Sequence, residues 1–286
     1  MTSRVRAKSR YLRSRTFLIG LGLTGAVLLV ALVSLFYTPY DPNKMDIPSR
    51  FQGPSGAHPF GTDRYGRDIL SRVMRGAANS ITVGLIAVSI GMGLGVSLGM
   101  LAGYYGSWLD EAVMRLMDAI YGFPAVLLAI LITSVLDPGI KNSMIAIGIS
   151  YVPLFARLTR GNFLSLRERE FVLAARATGR GGPSIAWRHI LPNTIPVLIV
   201  QATIGFAIAI LAEAGLSYLG LGTQPPAPSW GRMLKEAQGL IRLSPWPAVF
   251  PGLAIMVAVL GFNLLGDGLR DILDPRMKLW NRETGA

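Results

Sequence analysis

Long uncharged runs are the feature of this sequence that most constrains its fold. Residues from Thr16 to Pro39 carry no charged side chain, and neither do residues from Ile81 to Met100. A run of about 20 residues, rising about 1.5 Å each, crosses a hydrocarbon core of about 30 Å. Because lipid offers no hydrogen bonds, the backbone groups of such a run must bond to one another within a helix. The sequence therefore predicts an all-α polytopic membrane protein.

Composition favours a membrane protein and argues against an enzyme. Hydrophobic residues make up 51% of the 286 residues and charged residues only 15%, against about 25% charged in soluble domains. The chain has no cysteine and two histidines, which excludes thiolate metal sites and leaves little for imidazole chemistry. It also lacks the phosphate-binding pattern Gly-x-x-x-x-Gly-Lys-Ser/Thr and the metal-binding pattern His-Glu-x-x-His. We expect no catalytic residue, cofactor or metal in this chain.

Six membrane spans are predicted from the apolar runs. Pro124 predicts a kink in the third of them. The fourth is short because Lys141 and Arg157 bound it, and these two cations can extend to the interfaces. The predicted spans are 17–39, Ile81–Met100, Leu116–Leu136, Asn142–Ala156, Thr194–Ala212 and Ala248–Gly266.

Three polar segments flank these spans. Residues 1–16 form a basic tail with no acid, and residues 272–286 form a second tail. Residues 40–78 are rich in turn signals and end in a stretch, Arg67 to Arg75, whose apolar residues share one helical face. That stretch predicts a short amphipathic helix lying along the membrane surface.

Small residues recur every four positions through the second predicted span. This spacing places them on one helical face, where a neighbouring backbone can approach closely. We interpret the stripe as a helix-packing seam, with a pore-lining stripe as the alternative. Its members are Ala87, Gly91, Gly95, Gly99 and Gly103.

Two acidic residues near span ends are candidates for a pathway or gating role. Asp118 lies near the start of the third span, three residues after Arg115, a spacing that allows a pair. Glu213 ends the fifth run. An ionisable residue beside the membrane is a functional candidate by default, and an interfacial cap is the alternative for Glu213.

The longest polar interruption in the second half of the chain runs from Glu168 to Asn193. Alanines lead into Gly179, and Gly181, Gly182 and Pro183 then break the helix. Two short helices joined by a glycine-rich turn, held between two spans, are typical of a docking element for a soluble partner.

This stretch resembles the coupling loop of ABC-importer permeases: Ala-Ala, three residues, Gly, then about ten residues to Leu-Pro. It departs from that pattern at Leu173, where glutamate is usual, and at His189, where isoleucine is usual. Its Ala-Ala-Arg-Ala and Arg-His-Ile-Leu-Pro-Asn strings, and the earlier His-Pro-Phe-Gly-Thr-Asp string, resemble the dipeptide, oligopeptide and nickel branch. The resemblance implies docking of an ATPase by Glu170, Ala174, Ala175, Arg176, Ala177, Gly179, Arg180, Arg188, His189, Leu191 and Pro192.

The resemblance implies a type I ABC transmembrane domain over residues 79–271, with a cytosolic coupling loop at 157–192. The expected partners are a homologous second permease, two ATP-binding subunits or a fused equivalent, and an extracytoplasmic peptide-binding protein. ATP and Mg would be bound by the ATPases. Dipeptides or oligopeptides are the leading substrates, with nickel chelates or glutathione as alternatives. An ATP-independent secondary transporter is the rival class, but the span centres hold almost no ionisable residues.

Charge distribution predicts the orientation. Six crossings place both termini on the same side of the membrane, and the coupling loop lies on that side too. The segments on that side together contain 18 of the 28 lysines and arginines. The positive-inside rule then makes both termini cytoplasmic in a bacterial plasma membrane. The net charge of +12 is explained by these flanking cations, so we expect lipid and no nucleic acid as a partner.

Overall fold

The computed structural model describes residues 15–273, and within that range it is helical with no β-strand element. The all-α prediction is confirmed. The helices are α1 (Arg15–Val33), α2 (Ile69–Tyr105), α3 (Ser107–Tyr121), α4 (Ala125–Val135), α5 (Ile140–Leu166), α6 (Glu170–Ala177), α7 (Gly182–Ile185), α8 (Leu191–Leu219), α9 (Trp230–Ala237) and α10 (Trp246–Leu273), with a 3₁₀ turn at Ile47–Ser49 and a π-helical turn at Ala186–Ile190.

The bundle has two distinct ends. The coupling-loop end carries α6, α7 and the π-helical turn, and the far end carries the segments 40–68 and 220–245. α1 runs antiparallel to α10, since a Cβ on Gly20 would meet Leu264 and one on Gly268 would meet Phe17. The described chain therefore starts and finishes at the coupling-loop end.

Fewer helices qualify as membrane spans than the six predicted. By length and apolar composition, four stretches in residues 15–273 qualify, namely α1, α2, Gly182–Leu219 and α10. The α3–α4 pair makes a fifth if it is counted as one broken span. α5 runs between the two ends but falls short, because Asn142, Pro153 and Arg157 dilute its apolar residues. The count of six is not confirmed.

The third predicted span is two helices and not one. α3 already begins at Ser107, and α4 leaves it at an angle of 86°. The break falls at Gly122–Pro124, where the proline cannot continue the hydrogen-bond ladder of α3. The kink predicted at Pro124 is confirmed, although it is a sharp break between two helices. The first of them, α3, begins nine residues before the predicted start of the span.

The first predicted span is shorter in the structure, since α1 ends at Val33 and a turn follows over residues 34–36. The amphipathic stretch Arg67 to Arg75 is not a separate surface helix. From Ile69 onward it forms the first turns of α2, and Asp68 caps that helix by accepting a hydrogen bond from the Ser71 amide.

Most of the polar face of that stretch is buried: Asp68, Ser71 and Arg72 are at most 2% exposed, and Arg75 at its end is half-buried. The Arg72 side chain is only 1% exposed, because carboxylates from two other segments pair with it. Arg72 is therefore satisfied inside the protein, which does not fit a separate helix lying flat on the headgroups.

The stripe of small residues on α2 faces α5. The two helices run parallel. A Cβ added to any of the four glycines would collide with α5, and each step of four residues along α2 moves the collision four residues along α5. The Cβ–Cβ separations would be only 2.5 to 2.8 Å, for Gly91 with Tyr151, Gly95 with Phe155, Gly99 with Thr159 and Gly103 with Phe163. Ala87 is likewise fully buried. The absence of side chains here lets the two backbones approach closely.

Candidate functional site

The coupling loop was predicted from residue 157, but residues up to Leu166 continue α5, so the loop begins only with α6 at Glu170. A left-handed glycine terminates α6. Glu170 lies in the first turn and Arg176 in the last, which complements the helix dipole. Gly179 has φ of +76°, a conformation that glycine adopts without steric cost. Its amide donates to the Arg176 carbonyl at 2.9 Å. The Ala-Ala-x-x-x-Gly spacing thus fixes where the first short helix stops.

The second half of the loop starts at Gly182 and Pro183, the first two residues of α7. A Cβ on Gly182 would lie 2.9 Å from the Tyr104 ring, so the loop packs tightly against the end of α2. The π-helical turn Ala186–Ile190 then leads without a break into α8. π-helical turns are rare and occur frequently at functional sites.

An apolar cluster attaches the underside of the coupling loop to the bundle. Val172 and Ala175 from α6 pack with Ile185 and Ile190 around Phe163 of α5. Phe163, Val172 and Ile190 are fully buried. Burial of such side chains is worth about 1.5–3 kcal/mol each, so α6 and α7 are held to the ends of α2 and α5.

The outer face of the coupling loop is both apolar and cationic. Phe171, Leu173 and Trp187 are 40%, 50% and 63% exposed. Of the predicted docking residues, Ala175 is buried and His189 and Leu191 are half-buried. The exposed ones are Glu170, Ala174, Arg176, Ala177, Gly179, Arg180, Arg188 and Pro192.

A hydrogen bond spans the two halves of the loop. The Arg180 guanidinium lies 3.4 Å from Nε2 of His189. Because a guanidinium can only donate, Nε2 of His189 is the acceptor in this contact. The departure from the usual isoleucine at this position therefore supplies a polar contact across the glycine turn.

Asp118 is paired with a different arginine from the one its spacing indicates. It accepts a hydrogen bond from Arg157 of α5 at 2.7 Å, and Arg157 also lies over the Tyr121 ring. Arg115 pairs with Glu111 at 2.6 Å. Two turns of α3 further back, Asp110 accepts two hydrogen bonds from Arg160. These charged pairs join α3 to the part of α5 that leads into the coupling loop.

Glu213 lies in a closed cluster of hydroxyl groups. It is 1% exposed, and it accepts hydrogen bonds from Ser80 at 2.9 Å and Ser217 at 2.6 Å. Thr223 donates to the same carboxylate at 3.3 Å. The cluster therefore ties α2 and α8 to the segment after α8.

An ion network at the far end was missed by sequence reasoning. Asp63 and Glu236 bind Arg67 and Arg72, and Arg232 binds Glu236, all with side chains at most 17% exposed. Glu236 is 169 positions from Arg67, so no local spacing could reveal the pair. In residues 15–273, no three His, Asp or Glu side chains converge as a metal site would require.

A sequence profile described as "Binding-protein-dependent transport system inner membrane component" matches residues 95–279 of this chain. The match covers more than half of the chain and includes the whole coupling loop. The chain belongs to this family.

Relatives of this inner-membrane component carry permease names. It is 46% identical to "Dipeptide transport system permease protein DppC" of Alkalihalophilus pseudofirmus over 266 residues, 93% of this chain and 88% of that protein. It is 42% identical to "Glutathione transport system permease protein GsiD" of Pectobacterium atrosepticum over 271 residues, 94% of this chain and 90% of that protein. The resemblance to the peptide-importer branch of ABC permeases is thereby confirmed.

A solved structure shares the fold of this inner-membrane component. The inward-facing MetNI methionine ABC transporter matches with a TM-score of 0.58 at 16% identity, over 71% of this chain and 96% of the matched chain. At that identity the match shows the fold alone, which is the type I ABC importer transmembrane fold.

Proposed function

We propose that this chain is the permease subunit of an ATP-driven importer of dipeptides or oligopeptides, and that its coupling loop docks an ATP-binding subunit. The observation that carries the proposal is the outer face of that loop. Leu173, Phe171 and Trp187 expose large apolar side chains at the end of the bundle where Arg176 and Arg180 are also exposed. Apolar anchors ringed by arginines are typical of protein interfaces.

The attachment of the loop supports a route by which docking would drive transport. α5 runs directly toward the loop and α8 leaves it, while the buried cluster around Phe163 joins α6 to both. A force on α6 is therefore passed to α5, and from α5 to α2 through the glycine seam. ATP-driven closure of the partner subunits would rock these helices between inward-open and outward-open states.

The family supports the proposed partners. One chain of this type offers one coupling loop, so two ATP-binding subunits, or a fused equivalent, require a homologous second permease. An extracytoplasmic binding protein would deliver substrate at the far end. The proposed orientation is a bacterial plasma membrane with both ends of the chain in the cytoplasm, supported by the excess of cations on the coupling-loop side.

Peptides are the substrates that the relatives favour. One relative is named for dipeptides and another for glutathione, and glutathione is itself a small peptide-like molecule with free carboxylates. Glutathione is therefore the second candidate, and a nickel chelate the third.

The test is ATP hydrolysis by the complex reconstituted in lipid vesicles with its binding protein. The binding protein is loaded in turn with a dipeptide, a longer peptide, glutathione or a nickel chelate. We expect a peptide to stimulate hydrolysis and to accumulate inside the vesicles. Stimulation by glutathione or nickel alone would change the substrate and keep the architecture. Uptake of peptide by the vesicles without ATP hydrolysis would contradict the proposal that the complex is an ATP-driven importer.

A further inference from the structure

A groove of about 470 Å³ lies at the far end between the end of α1 and the first turns of α2. Residues 34–38 form one wall, and Arg75 and Asn79 of α2 form the other. The segment 226–228 closes the top, held by a hydrogen bond of 2.6 Å from the Asn79 amide to the Pro228 carbonyl. None of the proposed transport roles uses this groove.

Arg75 gives the groove an unneutralised positive charge. The neighbouring arginines of this end, Arg67, Arg72 and Arg232, each pair with Asp63 or Glu236. Within residues 15–273, Arg75 pairs with no carboxylate, and its guanidinium donates one hydrogen bond, to the Ser34 carbonyl at 3.2 Å. A guanidinium has five N–H donors, so Arg75, which lines the groove, keeps donors available for a ligand.

The groove lies at the level of lipid headgroups. α1 ends at Val33, and Phe36 and Tyr37 directly after it are 86% and 63% exposed. Exposed aromatic residues at the end of a span mark the membrane interface. Arg75 is also the last charged residue of α2, and the next one along the chain is Asp110. Both walls of the groove therefore lie at the ends of apolar spans, where the bilayer surface is expected.

We propose that this groove binds the phosphate of an anionic phospholipid, with Arg75 as the phosphate ligand. The charge of the site matches a phosphodiester, which guanidinium recognises through paired hydrogen bonds. The exposed apolar surface of Leu35 and Phe36 lies beside the groove, where the glycerol and upper acyl chain of the lipid would lie. The lipid would fill the space between α1 and α2 and hold them together. This inference does not rest on the peptide substrate or on the ATPases.

The experiment measures lipid retention by the full chain in detergent, using native mass spectrometry. The delipidated protein is titrated with phosphatidylglycerol or with zwitterionic phosphatidylcholine. We expect a clear preference for phosphatidylglycerol, and Arg75→Gln should weaken its binding at least about fivefold. Arg75→Lys, which keeps the charge, should retain most of the preference. Arg242→Gln is the matched control, since Arg242 is exposed at the same end but does not line the groove.

Three outcomes would overturn the proposal. The first is an equal loss of binding in Arg75→Gln and Arg242→Gln, which would reflect general surface charge. The second is displacement of the lipid by excess inorganic phosphate, which would make this a small-anion site. The third is the absence of any headgroup preference in the unchanged chain. If Arg75→Gln does not fold, Asn43→Asp serves instead, because it adds a negative charge at the groove wall and should weaken phosphatidylglycerol binding similarly.

Discussion

Glu236 is the carboxylate on which two nearly buried arginines converge. Arg67 and Arg72 bind its Oε2 at 2.5 and 3.1 Å. Burial by itself raises the pKa of Glu236, but the charges of Arg72 and Arg67 outweigh it, and the net pKa lies below its usual 4.5. Because the folded pKa is lowered, the pairing contributes full stability above that usual value. The contribution is lost as the pH falls through the lowered pKa.

We therefore predict that Glu236→Gln changes both the stability at pH 7 and the dependence of stability on pH. At pH 7 the variant should be less stable by about 3 kcal/mol, since two buried arginines lose a partner. The melting temperature of the unchanged chain should stay constant down to about pH 4.5 and fall below that pH. The melting temperature of the variant should fall less over the same range. Thermal unfolding in detergent across this range measures both. Glu168→Gln, with a side chain 78% exposed, is the control and should match the unchanged chain.

At the scale of elements, the α2–α5 pair depends on the absence of side chains at its seam. A Cβ on Gly99 would lie 2.8 Å from that of Thr159 and would also press on the Ala156 carbonyl, which is backbone and cannot rotate away. On the same helix, a Cβ on Gly93 would meet nothing within 4 Å. Substitutions at these two glycines therefore distinguish the effect of close packing on stability from the effect of intrinsic helix propensity.

We predict opposite effects for the same substitution at these two sites. Gly99→Ala should destabilise the chain by about 1–3 kcal/mol through overpacking. Gly93→Ala should be neutral or stabilise it by up to about 1 kcal/mol, because alanine favours the helix. Thermal unfolding of the purified variants is the measurement. Equal shifts in melting temperature for the two variants would show that close packing of α2 against α5 does not depend on the missing side chain at Gly99.

The sequence could predict those features that depend on short-range spacing. The four-residue period of the α2 stripe, the break at Pro124 and the glycine turn at Gly179 are all local, and each is visible without coordinates. The partners of charged residues could not be predicted, because Arg72 and Glu236, or Asp118 and Arg157, meet only through tertiary packing. Spacing alone favoured Arg115 for Asp118. The amphipathic pattern of the stretch Arg67 to Arg75 also predicted a helix along the membrane surface, whereas two distant carboxylates hold Arg72 inside the protein.

The coupling loop is the element whose exposed face is most open to a direct test. Leu173→Asp places a charge on that face without touching the buried cluster, since Leu173 is 50% exposed. We expect the variant to reach the membrane, to bind the ATPase more weakly and to lose most ATP-driven uptake. Co-purification of the ATPase and vesicle uptake measure the two effects. Leu243→Asp, 69% exposed at the far end, should leave ATPase co-purification unchanged. A Leu173→Asp variant that copurifies and transports normally would remove the docking assignment.

At the scale of the whole molecule, the described chain begins and finishes at one end of the bundle. Phe17 of α1 packs against Gly268 of α10, and the coupling loop lies at that same end. If the chain is oriented as the cations indicate, everything at this end is cytoplasmic, and the segments 40–68 and 220–245 are outside. The proposed docking of a cytoplasmic ATPase and the proposed delivery of substrate both depend on this orientation.

The orientation can be tested directly because the chain contains no cysteine, so single cysteines can be introduced without removing any. Ser55→Cys lies on an exposed position of the far end, and Ala177→Cys and Asp271→Cys lie on exposed positions of the coupling-loop end. A membrane-impermeant maleimide should label Ser55→Cys in intact cells whose outer permeability barrier does not exclude it. In cells that express this chain without its ATP-binding subunits, so that the docking face is not covered, the other two should react only after the plasma membrane is opened. Labelling of Ala177→Cys from outside would invert the topology, and opposite behaviour of Ala177→Cys and Asp271→Cys would contradict their placement at one end.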